Sequence, residues 1–187
     1  MNKNNLSIAR QQFAQCVFNH KVQEKAFERI EEISAKIKRV NIILLALVLI
    51  FLVLQLKFQT VSLFGDMSIA ITVFEILFLH FQKDFSFEKK SSEYKKVALK
   101  YLELRDKYKN FIVDIMNDLV EEKIVSKRDL LQEQYQIIND LAPQTECRDY
   151  AKAQFALLSK NNLGEEFIWL DKEIDLFLPK ELKLNEK

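Results

Sequence analysis

Glycine, proline, cysteine and histidine are each nearly missing from this chain of 187 residues, which holds two of each. Average proteins carry about 7% Gly and 5% Pro, so tight turns and Gly-rich phosphate loops are close to excluded. No P-loop, G-x-G-x-x-G, H-E-x-x-H or G-x-S-x-G pattern occurs, which removes the signatures of the common nucleotide folds, zincins and hydrolases. His20 and His80 lie in separate segments and offer little raw material for a metal centre or a Ser/His/Asp triad. Cys16 and Cys147 belong to no CxxC or Cys/His cluster and read as unpaired thiols facing a reducing cytoplasm. A formal net charge of +1 lacks the footprint of a nucleic-acid binder, so direct DNA binding is not expected. The adjacent acids Glu31/Glu32, Glu121/Glu122 and Glu165/Glu166 point to different helix azimuths and read as solvated faces. Asp114 and Asp118 are one helical turn apart, yet no third ligand completes a metal site. No catalytic residue, metal or cofactor is expected.

What the chain does contain is apolar bulk set beside charge. Fifteen phenylalanines accompany many Leu, Ile and Val, while charged residues still make up 29%. Such a mixture implies segregated apolar and charged stretches in a mostly helical chain. The opening MNKNNLSIARQQ has no apolar run and no small-residue cleavage pattern, so the later apolar segments are expected to stay in the mature protein. Phe13, Val17, Phe18, Val22, Ala26, Phe27, Ile30, Ile33 and Ile37 recur at spacings of three and four, predicting an amphipathic helix within 1–39. His20 is expected on its solvated side.

Ile42 to Leu54 is then apolar without a break. With its neighbours it spans about 26–28 Å as a helix, enough for a slightly thin bilayer core. The soluble alternative, a buried central helix, would need cover on all sides from a chain too short to supply it. A second apolar stretch, Leu63 to Phe81, contains Gly65, Asp66, Glu75 and His80. An acid at the centre of a span costs about 2.5–3.5 kcal/mol on insertion scales, so this stretch is read as a span because it can return as the second arm of a hairpin. The expected spans are about 40–58 and 63–82. Lys36, Lys38 and Arg39 precede the hairpin and Lys83, Lys89 and Lys90 follow it, against Lys57 alone between the arms. The positive-inside rule then places both termini in the cytoplasm.

Gly65, Ser68, Thr72, Glu75, Leu79 and Gln82 recur at spacings of three and four, so small and polar groups share one stripe of the second span. Two readings of the stripe stay open. Several hairpins could set it around a pore with Glu75 as a carboxylate ring and Asp66 near the mouth. Alternatively the stripe allows close helix packing, with Glu75 neutralised or hydrogen-bonded between helices. His80 is expected at the interface, in contact with solvent.

Beyond the hairpin, Tyr94, Ala98, Tyr101, Arg105, Tyr108, Ile112, Ile115 and Leu119 form a heptad seam. It suits packing against the amphipathic first helix or against a neighbouring subunit. Ser126 with Asp129 resembles a capping pair and predicts a helix starting near Lys127. Pro143, a shorter helix from Glu146 to Leu158, and a break at Asn161, Asn162 and Gly164 follow. The last apolar face is drawn from Phe167, Ile168, Trp169, Ile174 and Phe177, with Pro179 and a charged tail ending it. The fold class is therefore an all-α membrane protein: an amphipathic helix (1–39), a two-transmembrane hairpin (40–82) and a cytoplasmic helical bundle (83–187).

This order, together with the stretch from Glu93 to Pro143, resembles the SLATT domain, a family of bacterial two-transmembrane effector domains associated with nucleotide-generating enzymes. The matching elements are the helix from Tyr94/Lys95 to Leu104/Arg105, the Asp114 and Asp118 region, Ser126, the Ala142-Pro143 break and the segment Tyr150 to Leu158. The resemblance implies an inner-membrane effector of antiphage defence that oligomerises and forms a pore or disrupts the bilayer. Its implied trigger is an infection signal, a nucleotide second messenger or a partner nucleotide synthase or reverse transcriptase. Arg105, Lys107, Lys109, Lys127, Arg128 and Arg148 are the candidates for contacting such a signal. The rival expectation is a non-conducting anchor or scaffold that recruits a partner protein through its soluble helices.

Overall fold

The computed structural model describes residues 3–117, 120–157 and 169–184, and the side chains of these except at 3, 81 and 83–85. Among the described residues all regular structure is helical. The elements are α1 (Lys3–Lys57), α2 (Leu63–Phe85), α3 (Phe87–Met116), α4 (Glu121–Leu141), α5 (Cys147–Ala156), α6 (Asp171–Asp175) and a 3₁₀ turn at Lys180–Leu182. The chain divides into two compact units, one of residues 1–27 and 92–187 and one of residues 28–91.

α1 joins what the sequence presents as two pieces, the amphipathic helix and the first apolar span. No Gly or Pro falls within it, so nothing interrupts its backbone hydrogen bonds. Only the solvent its side chains prefer changes along its length.

In the first unit, α1 buries Leu6, Ala9, Phe13, Val17 and Val22 against Tyr101, Leu104, Tyr108, Phe111, Ile112 and Ile115 of α3. Ile124, Leu131 and Ile138 add a heptad-spaced stripe from α4, and Ala153 comes from α5. Several polar groups inside this core are paired with one another or with backbone carbonyls. Tyr101 donates its hydroxyl to Asn139, Asn19 donates to the Tyr135 hydroxyl at 3.0 Å, and Tyr94 donates to the Gln144 carbonyl at 2.7 Å. His20 is not on the solvated side: it is half-buried, with Nδ1 2.9 Å from the Ala98 carbonyl oxygen. A carbonyl only accepts, so this nitrogen carries the proton.

α4 begins at Glu121, not near Lys127, and Ser126 lies inside it rather than capping it. Glu121 and Glu122 occupy the first turn, where negative charge meets the positive end of the helix dipole. α5 starts at Cys147, one residue after the expected Glu146, which caps it and whose backbone N–H is met by Asp149 Oδ2 at 3.0 Å. The chain also does not stop packing at Pro179, because Leu182 beyond it is buried. Residues 169–184 are strapped onto α1. Arg10, fully buried, donates to Asp175 Oδ1 at 2.6 Å and to the Leu182 carbonyl at 2.9 Å. Gln11 exchanges two hydrogen bonds with the Trp169 backbone, at 2.7 and 3.0 Å. Trp169 sits edge-on to Phe18 and Phe177. The expectations for Asp118, Leu119, Leu158, Asn161, Asn162, Gly164, Phe167 and Ile168 lie outside the described residues.

The second unit is the hairpin, formed by the later part of α1 and by α2 and completed by the start of α3. Its apolar side chains are turned outward: Ile42 is 68% exposed, Leu56 74% and Ile69 66%. A central helix of a soluble protein shows the opposite pattern, so that alternative fails. α1 and α2 are both long and apolar enough to cross a membrane.

Candidate functional site

The two arms of the hairpin are clasped at both ends. At one end Asn41 and Gln82 exchange amide hydrogen bonds of 3.1 and 3.2 Å. At the other, Gln55 Oε1 accepts from the backbone N–H of Gly65 at 2.8 Å, meeting one of the donors that a helix start leaves unpaired. A Cβ at position 65 would stand 3.3 Å from that same Oε1, a tight contact that the Gln55 side chain would have to yield to by a few tenths of an ångström. Between the clasps α1 advances about 21 Å and α2 about 26 Å at 1.5 Å per residue, close to the thickness of a thin bilayer core.

The sequence-predicted stripe of α2 divides between these tasks. Gly65 and Gln82 belong to the clasps. Ser68 is buried, and Thr72 returns its hydroxyl to the Ser68 carbonyl at 2.8 Å, a bond within its own helix. Asp66 and His80 are exposed, while Glu75 is half-buried about midway between the clasps. Glu75 makes no hydrogen bond or ion pair among the described residues. Asn41 and Gln55 were not singled out from sequence, although a signal exists: they stand two heptads apart, and hence on one face of α1.

The predicted seam of α3 is occupied within the chain. Tyr94, Ala98, Tyr101, Tyr108, Ile112 and Ile115 are buried, and Tyr101, Tyr108, Ile112 and Ile115 belong to the same core as Phe13 and Val17 of α1. Arg105 instead lies at the edge, paired with Asp106 at 2.7 Å. The other cations proposed for signal contact are mostly engaged too. Lys107 pairs with Glu103 at 2.7 Å, Lys127 with Asp114, Arg128 with Asp129 at 2.9 Å and Arg148 with Glu146 at 2.6 Å. Lys109 has no such partner among the described residues. It shares with Arg105 a small cavity of about 210 Å³, floored by Phe13, Val17 and Phe177. The candidate cations are thus mostly held in separate ion pairs. Among the described residues no group of His, Cys, Asp and Glu could hold a metal ion.

No curated protein and no solved structure matches the chain. The model of the SMODS and SLOG-associating 2TM effector domain family 4 matches residues 6–173, a range that takes in the whole hairpin and most of the helical unit. With two outward-facing apolar helices in place of the two transmembrane segments this description requires, the chain belongs to that family of two-transmembrane effector domains.

Proposed function

We infer that the protein is a membrane effector of bacterial antiphage defence that assembles through its hairpins and opens the inner membrane when an infection signal reaches its soluble helices. Both arms cross the bilayer, with both termini on the cytoplasmic side as the flanking lysines favour. The signal is a nucleotide, or a partner nucleotide synthase or reverse transcriptase. No catalysis is proposed.

The observation that carries this reading is Glu75. Of the other mid-span polar groups, Ser68 is buried and Thr72 is hydrogen-bonded within its own helix. Glu75 alone is left half-buried with no partner among the described residues. Hydrocarbon cannot solvate a carboxylate, so intramembrane acids face a protein interior or water. A single hairpin supplies neither, whereas an assembly of hairpins supplies both. The test is ion flux from liposomes carrying the full-length protein. Glu75→Gln should shift cation-over-anion preference or abolish flux, and an unchanged conductance and selectivity would remove the assignment.

A scaffold role is favoured by a different feature. Leu130, Ile137 and Leu141 of α4 are each more than half exposed and share one helix face, the kind of surface that takes a partner protein. Liposomes that stay sealed in the presence of the activating signal would support this second reading.

A further inference from the structure

A cavity of about 400 Å³ opens in the hairpin unit just outside the Asn41/Gln82 clasp, within the range of about 300–1,000 Å³ typical of ligand clefts. Its walls carry Ser34 and Lys38 from α1 and Ser86, Phe87, Glu88 and Lys89 from the junction of α2 and α3. Ser86 makes that junction by adopting a left-handed backbone, φ 34° and ψ 51°, a conformation that side chains other than Asn, Asp and Gly seldom take. The turn carries Phe87, Glu88 and Lys89 to the cavity that Ser34 and Lys38 line.

The cavity's depth in the membrane follows from the clasp. Lys38 is three residues before Asn41 and Ser34 seven, about 4.5–10.5 Å along the helix. Lys38 then stands at the headgroup layer, about 5–7.5 Å deep on each side of the hydrocarbon core, and Ser34 just outside it. The wall chemistry matches what lies there. Two ammonium groups and two hydroxyls are donors for phosphate oxygens, and Phe87 offers an apolar surface beside them. Among the described lining residues two lysines against one glutamate leave one positive charge. The Lys38–Glu88 pair is loose, at 3.4 Å with both side chains well exposed, so Lys38 is released at little cost.

We propose that this cavity binds the phosphodiester headgroup of an anionic membrane phospholipid. The proposal rests on the hairpin crossing the bilayer. The headgroup holds α1 and the α2–α3 junction together, so lipid composition sets how firmly that junction is closed.

The test uses full-length protein reconstituted with equal parts phosphatidylglycerol and phosphatidylcholine, then recovered in mild detergent for native mass spectrometry of retained lipid. Lys38→Gln with Lys89→Gln should lower retained phosphatidylglycerol about tenfold or more, since each hydrogen bond from a charged group to the headgroup is worth roughly tenfold. Lys36→Gln with Arg39→Gln removes the same charge outside the cavity, costs no headgroup hydrogen bond of the site, and should lower retention several-fold less than the cavity variant. Lys38→Arg with Lys89→Arg should retain the lipid. Equal loss in both glutamine variants, loss in neither, or displacement of the lipid by inorganic phosphate overturns the proposal. Flotation of the same vesicles separates the two readings: protein that floats without selective lipid loss refutes only the headgroup site, and protein that does not float refutes the membrane-crossing hairpin as well.

Discussion

Replacing Arg10 by alanine should detach the carboxy-terminal strap from α1 while leaving the helices intact. The Arg10 side chain has no exposure, and the Asp175 carboxylate 2.6 Å from it is only 8% exposed. The pair joins positions 165 residues apart, and the same guanidinium holds the Leu182 carbonyl. Removing one partner of a buried ion pair costs about 3–5 kcal/mol, because the remaining charge keeps its burial and loses its compensation. Even the lower figure is roughly 150-fold in an equilibrium constant. The assay is limited trypsin digestion of the full-length protein in detergent, with cleavage after Lys180 and Lys183 followed by mass spectrometry. Where opening is fast relative to cleavage, the rate reports the open population, so Arg10→Ala should be cut about 100-fold faster or more. The double variant Arg10→Met with Asp175→Leu removes both charges and should recover at least about 1 kcal/mol relative to Arg10→Ala. An acceleration below about fivefold at unchanged helix content would show that the ion pair does not hold the strap.

The hairpin clasp should behave similarly on a smaller scale: Asn41→Leu leaves the Gln82 amide facing an apolar side chain and should cost about 0.6–1.7 kcal/mol in thermal unfolding, which Asn41→Leu with Gln82→Leu recovers in part. At the left-handed junction, Ser86→Gly should stabilise by about 0.5–1 kcal/mol and Ser86→Val destabilise by at least about 1 kcal/mol, both read from detergent melting curves. Burial pushes the Cys16 thiol well above the ordinary cysteine range, while Cys147 is exposed. Ellman's reagent should therefore find one fast thiol in the folded protein, and none in Cys147→Ser until it is unfolded. Burial likewise raises the Tyr101 and Tyr108 hydroxyls above the usual tyrosine value of 10.0. Their contribution to stability is complete below that pH and falls as pH rises above it, because the unfolded chain releases those protons first. A urea midpoint that drops between about pH 9 and 11, and drops less in Tyr101→Phe with Tyr108→Phe, is the expected outcome.

Much of the helix inventory was legible because helical periodicity is local. The recurrence of Phe13, Val17 and Val22 marked the buried face of α1, and the recurrence of Tyr101, Tyr108, Ile112 and Ile115 marked that of α3. Ser126 misled for an equally local reason. A Ser-x-x-Asp pattern caps a helix only where the chain actually turns, and here Glu121 and Glu122 begin the helix a turn earlier. His20 was misplaced because its partner, the Ala98 carbonyl, lies 78 residues away.

The amino-acid order by itself determined the two apolar arms, their short connection and the absence of catalytic signatures. These depend on composition and spacing within about twenty residues, the scale over which a helix meets one solvent. Only the tertiary structure decided where polar groups end up. It matched Asn41 with Gln82 and Gln55 with Gly65, closed Arg10 over Asp175, and left Glu75 without a partner among the described residues. Such pairings are between groups distant in the chain. A hydrogen bond is fixed by the positions of both partners, and sequence periodicity constrains only one of them.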